Sequence, residues 1–279
     1  MATAEPARTW QSTEAAEVWR QGAARRAQTL AAATDRMLDA AGLRPGLRVL
    51  DIAAGTGDQS LLASQKVGRD GSVLATDISA TMLAAAAEAA RDGGLANVET
   101  QVADASALDV PAGEFDAAIC RFGLMFVPDL HAALTRIHAA LKPDAKFAAL
   151  VWSTPERNPW ISLQLDIVDE MGRMPRSAPS ILRAISLGEP GKLENAIAAA
   201  GFRDVTVLPL PTPREFGSAE EAVGAMRMAS PAQGELTREM TETELAHYEA
   251  ELERRLATYA RSDGRIVLPG EALLGVGTR

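Results

Sequence analysis

Short apolar runs alternate along the chain with longer segments whose apolar positions recur every three to four residues. Val49, Leu50 and Ile52 make one such run, and similar runs lie at 72–77, 98–102, 117–121, 146–152 and 202–208. The first of these runs suits a strand covered on both sides, whereas 98–102 alternates apolar and polar residues. Between them a 3.6-residue period predicts helices over about 58–67, 80–92, 130–142, 161–171 and 191–200. Upstream, 25–41 aligns Leu30, Thr34, Met37, Leu38 and Ala41 on one stripe, and Thr13–Trp19 holds helix formers throughout. Downstream, 217–262 reads as helices, the last aligning Leu245, Tyr248, Leu252, Leu256 and Tyr259, while Pro175–Pro190 reads as a long loop. Two extended pieces around Pro269-Gly270 then supply a closing antiparallel strand. Strands alternating with helices predict an α/β fold built on a mostly parallel, doubly wound sheet.

The chain is organised around Arg48–Ser60, a strand, a glycine-bearing turn and a helix start. Gly55 and Gly57 allow a tight turn and close approach of a ligand to the main chain. Thr56, Asp58 and Ser60 can serve the open N–H groups of the next helix. Such a loop at the carboxyl end of a parallel strand is a nucleotide-type site. The charges narrow the choice. Asp51 and Asp58 flank the turn with no Lys or Arg between them. A pyrophosphate would meet two carboxylates, whereas an ammonium and a sulfonium would meet favourable charge. The dinucleotide fingerprint G-x-G-x-x-G also fails, because Ser60 stands at its third Gly.

Here the stretch resembles the first motif of the class I S-adenosylmethionine-dependent methyltransferases, D/E-x-G-x-G-x-G. Asp51, Gly55 and Gly57 match it, and Ala53 replaces the first Gly. Phe122-Gly123-Leu124, Val127 and Asp129 after the fourth strand resemble the ubiquinone/menaquinone biosynthesis C-methyltransferases and their small-molecule relatives, as does Leu108–Asp116 before it. The likeness covers residues 46–152 well and the rest loosely. It implies a Rossmann-like sheet of seven strands, the last antiparallel, with helical lid elements. Expected divisions are an N-terminal helical lid over 1–44, a cofactor-binding core over 45–210, a helical cap over 211–262 and a closing strand over 263–279.

The resemblance implies S-adenosyl-L-methionine as cofactor. Asp77 ends the second strand twenty residues beyond Gly57, where an acid bonds ribose hydroxyls in Rossmann-like folds. Ser79 can cap the following helix, which frees Asp77. Ile78 and Met82 then stand near the adenine, and Asp104 with the Ala105 N–H matches the place that faces the adenine edge. Arg121 and Phe122 follow the fourth strand at the same end of the sheet. The motif of base-amine methyltransferases, Asn/Asp-Pro-Pro-aromatic, is absent from that place; Asn158-Pro159-Trp160 lies after the fifth strand and reads as a turn into a helix.

Composition removes several partners. The net charge is −9 with no basic run, which argues against a phosphate backbone and so against nucleic acid. Cys120 is the one cysteine, so no internal disulfide exists and a reducing compartment fits. Met1–Pro6 lacks a basic region followed by an apolar one, and no apolar run reaches the ~20 residues of a membrane span. A soluble cytoplasmic protein is expected, with a small-molecule acceptor; the sequence leaves a homodimer open.

Methyl transfer requires placement of the acceptor and exclusion of water more than side-chain chemistry. Adaptable apolar side chains, Trp10, Trp19, Trp160, Met171, Met174, Met226 and Met228, are candidate lid residues suited to a greasy or phenolic, quinol-like acceptor. No general base is evident. His131 and His138 read as surface residues, while His247 in the cap helix could reach a pocket. Arg121 could orient an anionic or phenolate acceptor or pair with a nearby acid. No cluster has metal-ligand spacing. A nicotinamide-dependent oxidoreductase and a non-catalytic cofactor-binding module remain open as alternatives.

Overall fold

Arg48–Ile52 forms β1, and every residue after Arg48 in it is buried. The computed structural model describes residues 10–174, 180–227 and 230–279; the expectations for Met1–Pro6 and Met228 lie outside them. On one side of β1 runs β2 (Ser72–Asp77), followed by β3 (Val98–Val102) at the edge; on the other run β4 (Phe115–Arg121) and β5 (Leu141–Trp152). β6 (Arg203–Pro211) forms the far edge, and β9 (Glu271–Thr278) lies between β5 and β6, antiparallel to both. The sheet order is β3-β2-β1-β4-β5-β9-β6, so six strands are parallel and the last in sequence is not. This is the Rossmann-like arrangement that the sequence implied. Leu50, Ile52, Ile119 and Phe147 are fully buried, each contributing about 1.5–3 kcal/mol over an exposed position.

Helices cover both faces: α1 (Thr13–Gln21), α2 (Ala23–Ala40), α3 (Asp58–Val67), α4 (Ala80–Asp92), α5 (Leu130–Ala140), α6 (Pro159–Glu170), α7 (Ser180–Ala184) and α8 (Lys192–Ala199). The stripe of α2 is buried as its period predicts. α5 stops at Ala140 rather than Lys142, because Leu141 already pairs with Phe115 in β5. α7 occupies part of the expected 175–190 loop. Asn158-Pro159 is the expected turn: Pro159 opens α6, and Asn158 Nδ2 donates to the carbonyls of Thr154 and Glu271.

The extended pieces near the C-terminus divide between two sheets. Only β9 joins the main sheet; β8 (Ile266–Leu268) pairs with β7 (Arg214–Phe216), which the sequence did not reveal. β6–β9 and β7–β8 form one antiparallel ribbon, bent where Thr212 N–H donates to Gly270 O at 2.8 Å. A Cβ on Gly270 would lie 2.2 Å from Thr212 O, so the bend requires glycine. β6 is parallel to β5, so the ribbon continues past the carboxyl ends of the parallel strands. α9 (Ala219–Arg227), α10 (Pro231–Thr237) and α11 (Glu242–Leu256) follow from it. The chain thus returns over the point where strand order reverses between β1 and β4, the usual position of a ligand crevice.

Candidate active site

β1 and β4 are neighbours in register, Ile52 opposite Cys120, so the loops leaving them emerge side by side. Ala53 and Phe122 open those loops, and both hold left-handed backbones with φ of 54° and 58°. Such conformations in residues other than glycine are kept only where the surroundings fix them. Gly57, at φ 84°, begins α3, and a Cβ there would lie 2.8 Å from the Ala86 Cβ of α4. The turn can pack this closely because it carries no side chain at Gly57.

A cavity of about 660 Å³ opens above these loops. Among the predicted site residues Ala53, Gly55, Asp77, Ile78, Met82, Asp104, Ala105, Arg121 and Phe122 line it. Asp77 accepts N–H bonds from Gly55 at 2.8 Å and Ser79 at 2.9 Å, and burial pushes its pKa up. Ser79 does cap α4, accepting from Met82 N–H. Asp104 Oδ1 accepts from the N–H and hydroxyl of Ser106, a local turn bond made while the residue lines the cavity.

Three predicted residues lie outside the lining. Gly57 acts through backbone geometry. Asp51 is wholly buried beneath the loop, accepting from Ser60 Oγ at 2.5 Å and Gln59 Nε2 at 3.1 Å. Burial pushes its carboxyl up to about 7 against those bonds, so it braces the turn rather than facing a ligand. His247 is exposed on α11, one residue off the buried stripe that ends in Tyr248, Leu252 and Leu256, and does not reach the cavity. His131 is exposed, and His138 packs edge-on against Phe202.

Asp58 also departs from its expected part. Arg26 and Arg121, distant in sequence, converge on its Oδ2 at 3.1 and 3.0 Å. Burial alone would raise the Asp58 pKa; the two guanidiniums outweigh it and hold the carboxyl below its ordinary value. Its charge is spent inside the protein. Arg121 also donates to Thr34 Oγ1 at 3.1 Å, so of its two expected roles the structure shows the pairing. Arg26 further donates to Trp19 O and stacks 3.8 Å from the Trp19 ring centroid. Trp19 Nε1 lies 3.2 Å from the position a Cβ on Gly55 would take, which brings α1 down over the glycine loop.

The upper walls are aromatic. Phe122 stacks on Trp152 with centroids 4.0 Å apart, and Trp152 meets Trp160 edge-on at 4.9 Å. Trp10 contacts Trp19 and Phe126 at 5.3 and 5.2 Å. Phe216 of β7, Met226 of α9 and Gln233 of α10 line the cavity as well, whereas Met171 and Met174 do not. Arg26, Trp152, Arg214 and Gln233 went unrecognised in the sequence. Only Trp152 carried a signal, its place at the carboxyl end of β5.

Among the described residues no helix is long and apolar enough to cross a membrane. Residues 49–144 match the family described as a methyltransferase domain. The ubiquinone/menaquinone biosynthesis C-methyltransferase UbiE of Serratia proteamaculans is 33% identical over 179 residues, covering 61% of this chain and 71% of that protein. UbiE of Shewanella halifaxensis is 39% identical over 122 residues, 43% of this chain and 49% of its own length. The chain therefore spans about half to seven-tenths of these relatives. In fold it is similar to Haemonchus contortus phosphoethanolamine N-methyltransferase 2, solved with S-adenosyl-L-methionine, at a TM-score of 0.60 and 16% identity, covering 100% of this chain and 60% of that one.

Proposed function

The chain belongs to the S-adenosylmethionine-dependent methyltransferases, and on that premise we propose that it methylates a carbon of a small, apolar, phenolic or quinol-like acceptor. One observation carries the reading: a single cavity joins the Gly55–Asp77–Asp104 end to the aromatic and methionine walls beneath the cap.

The donor set at the lower end fits S-adenosylmethionine. In this reading Asp77 bonds the ribose hydroxyls, Asp104 and the Ala105 N–H meet the adenine edge, and Ile78 and Met82 meet the ring faces; that all five line the cavity supports it. When bound, the cofactor supplies an electrophilic methyl carbon on a sulfonium. The chain's own contribution is placement and dryness. Phe122, Trp152 and Trp160 offer flat apolar walls on which a ring can lie, and Trp10 and Trp19 roof the glycine loop. Holding reacting atoms near contact distance and excluding water supplies much of the rate in such displacements.

The walls offer no poised proton acceptor. Among the described residues no histidine lines the cavity, Glu221 is paired with Arg25 at 2.8 Å, and Asp77 is held by main-chain N–H groups. An acceptor that brings its own electron density, a ring carbon beside a phenolic oxygen, fits such a site better than an aliphatic alcohol that must first be deprotonated. Carbon transfer also accords with the C-methyltransferase relatives.

The test is incubation with S-adenosylmethionine labelled with ¹³C in its methyl group and a panel of phenols and hydroquinones. A new carbon-bound methyl resonance supports the reading. Methylation of oxygen alone would move the target atom, and turnover only of amines would contradict the acceptor class.

A further inference from the structure

The cavity holds a cation that no described residue neutralises. Arg26 and Arg121 share Asp58, and Arg25 is paired with Glu221. Arg214, carried over the site by the bent ribbon, forms no ion pair among the described residues, and its buried Nε finds no acceptor. Its guanidinium carbon lies 3.9 Å from the Trp160 ring centroid and 5.5 Å from that of Trp152. Burial pushes its pKa down to about 10, with Arg25 adding repulsion. An enclosed guanidinium without an anion is costly, and the indole faces offset only part of that cost.

The chemistry that would satisfy this guanidinium is specific. A guanidinium stacked on an indole keeps its N–H donors in its own plane, directed past the ring edge. That fork matches the two oxygens of a carboxylate. Two other lining residues carry unpartnered buried donors, Trp10 Nε1 and Gln233 Nε2. The unmatched polar atoms of this cavity are therefore donors, and they call for oxygen acceptors on the ligand. Ring contacts from Phe122 through Trp152 to Trp160 link the carboxyl end of β4 to Arg214.

We propose that Arg214 is the acceptor-recognition residue of this enzyme, and that the acceptor is an aromatic acid whose carboxylate it binds in bidentate fashion while the ring lies along Trp152 and Trp160. The proposal rests on the methyltransferase reading and names the substrate class of that same cavity. Arg214 is a specificity residue; it takes no part in bond making.

The test uses the full chain saturated with S-adenosylhomocysteine and titrated calorimetrically with 2-naphthoate and, in parallel, with neutral 2-naphthamide. Naphthoate should bind at least about tenfold more tightly, the usual margin of a charge-assisted pair. Arg214→Gln should abolish that preference without changing affinity for S-adenosylhomocysteine. Arg214→Lys, which keeps the charge and loses the fork, should retain only part of it. Equal affinity for the two probes in the unmodified protein, binding of neither, or a preference that survives Arg214→Gln would overturn the proposal. The unmodified comparison decides the matter even where a variant fails to fold. Failure of S-adenosylhomocysteine itself to bind would be a separate result, directed at the methyltransferase reading.

Discussion

The Cβ of Ala53 lies 2.3 Å from the position that a Cβ on Gly123 would occupy. The loops leaving β1 and β4 are thus pressed together at the floor of the cavity, with Ala53 and Phe122 both in left-handed conformations. The contact packs strained Ala53 against the residue that follows strained Phe122, and so holds the glycine loop close to the Phe122 wall.

Gly123→Ala should force these loops apart. We expect a stability loss of about 1–3 kcal/mol, the usual cost of overpacking, together with weakened S-adenosylmethionine binding. Adding Ala53→Gly removes the main clash, although Cys120 Sγ would still lie 3.0 Å away. The double variant should recover most of both losses. Denaturant unfolding and calorimetry read the result; additive effects would show that the contact does not govern the loops.

Asp58→Asn would strand Arg26 and Arg121, whose side chains are 11% and 5% exposed. Removing one partner from so buried a cluster costs about 3–5 kcal/mol. The pKa of Asp58 is depressed in the folded state, so its contribution is present above the ordinary carboxylate pKa and is lost as pH falls through the folded value. Chemical denaturation at neutral pH measures the loss. A cost under about 1 kcal/mol would mean that the cluster is screened like a surface pair.

Asp51 gives the opposite pH dependence. Burial raises its carboxyl from 3.8 to about 7, so the folded protein holds a proton that the unfolded chain releases. Stability contributed by this group is complete below the unfolded pKa and falls as pH rises toward 7. Asp51→Asn cannot titrate. The stability of the unmodified protein minus that of the variant should therefore decline between pH 4 and pH 7. Thermal melts across that range provide the check, and a flat difference would show that Asp51 is ionised throughout.

What could be read in the sequence follows from how far apart the cooperating residues lie. The glycine loop and Asp77 sit at fixed offsets from strand ends, so local spacing singled them out, while Asp104 came from the resemblance; of these, Gly55, Asp77 and Asp104 line the cavity and Gly57 does not. The buried stripe of α2 was equally visible, since periodicity reports burial directly. The pairing of Asp58 was not, because Arg26 and Arg121 lie 32 and 63 residues away in the chain. The acid that looked free to meet a cation was already matched. Arg214 was hidden for a similar reason: β7 and β8 are three residues each, too short to leave a pattern, and the bend that swings Arg214 over the site depends on Gly270 in the other strand. His247 was misplaced by one position on its helix, a distinction that the Tyr248, Leu252, Leu256 stripe already contained.

The central claim, that the Gly55–Asp77–Asp104 end of the cavity holds S-adenosylmethionine, is tested most directly by calorimetric titration of the unmodified protein and of Asp77→Ala. S-adenosylmethionine and S-adenosylhomocysteine are the ligands, with NAD and NADP as controls. The account predicts micromolar binding of the first two and none of the dinucleotides. It predicts at least about a tenfold loss in Asp77→Ala, where charge-assisted bonds to the ribose are removed. Unchanged affinity in the variant, or binding of a nicotinamide dinucleotide alone, would contradict it.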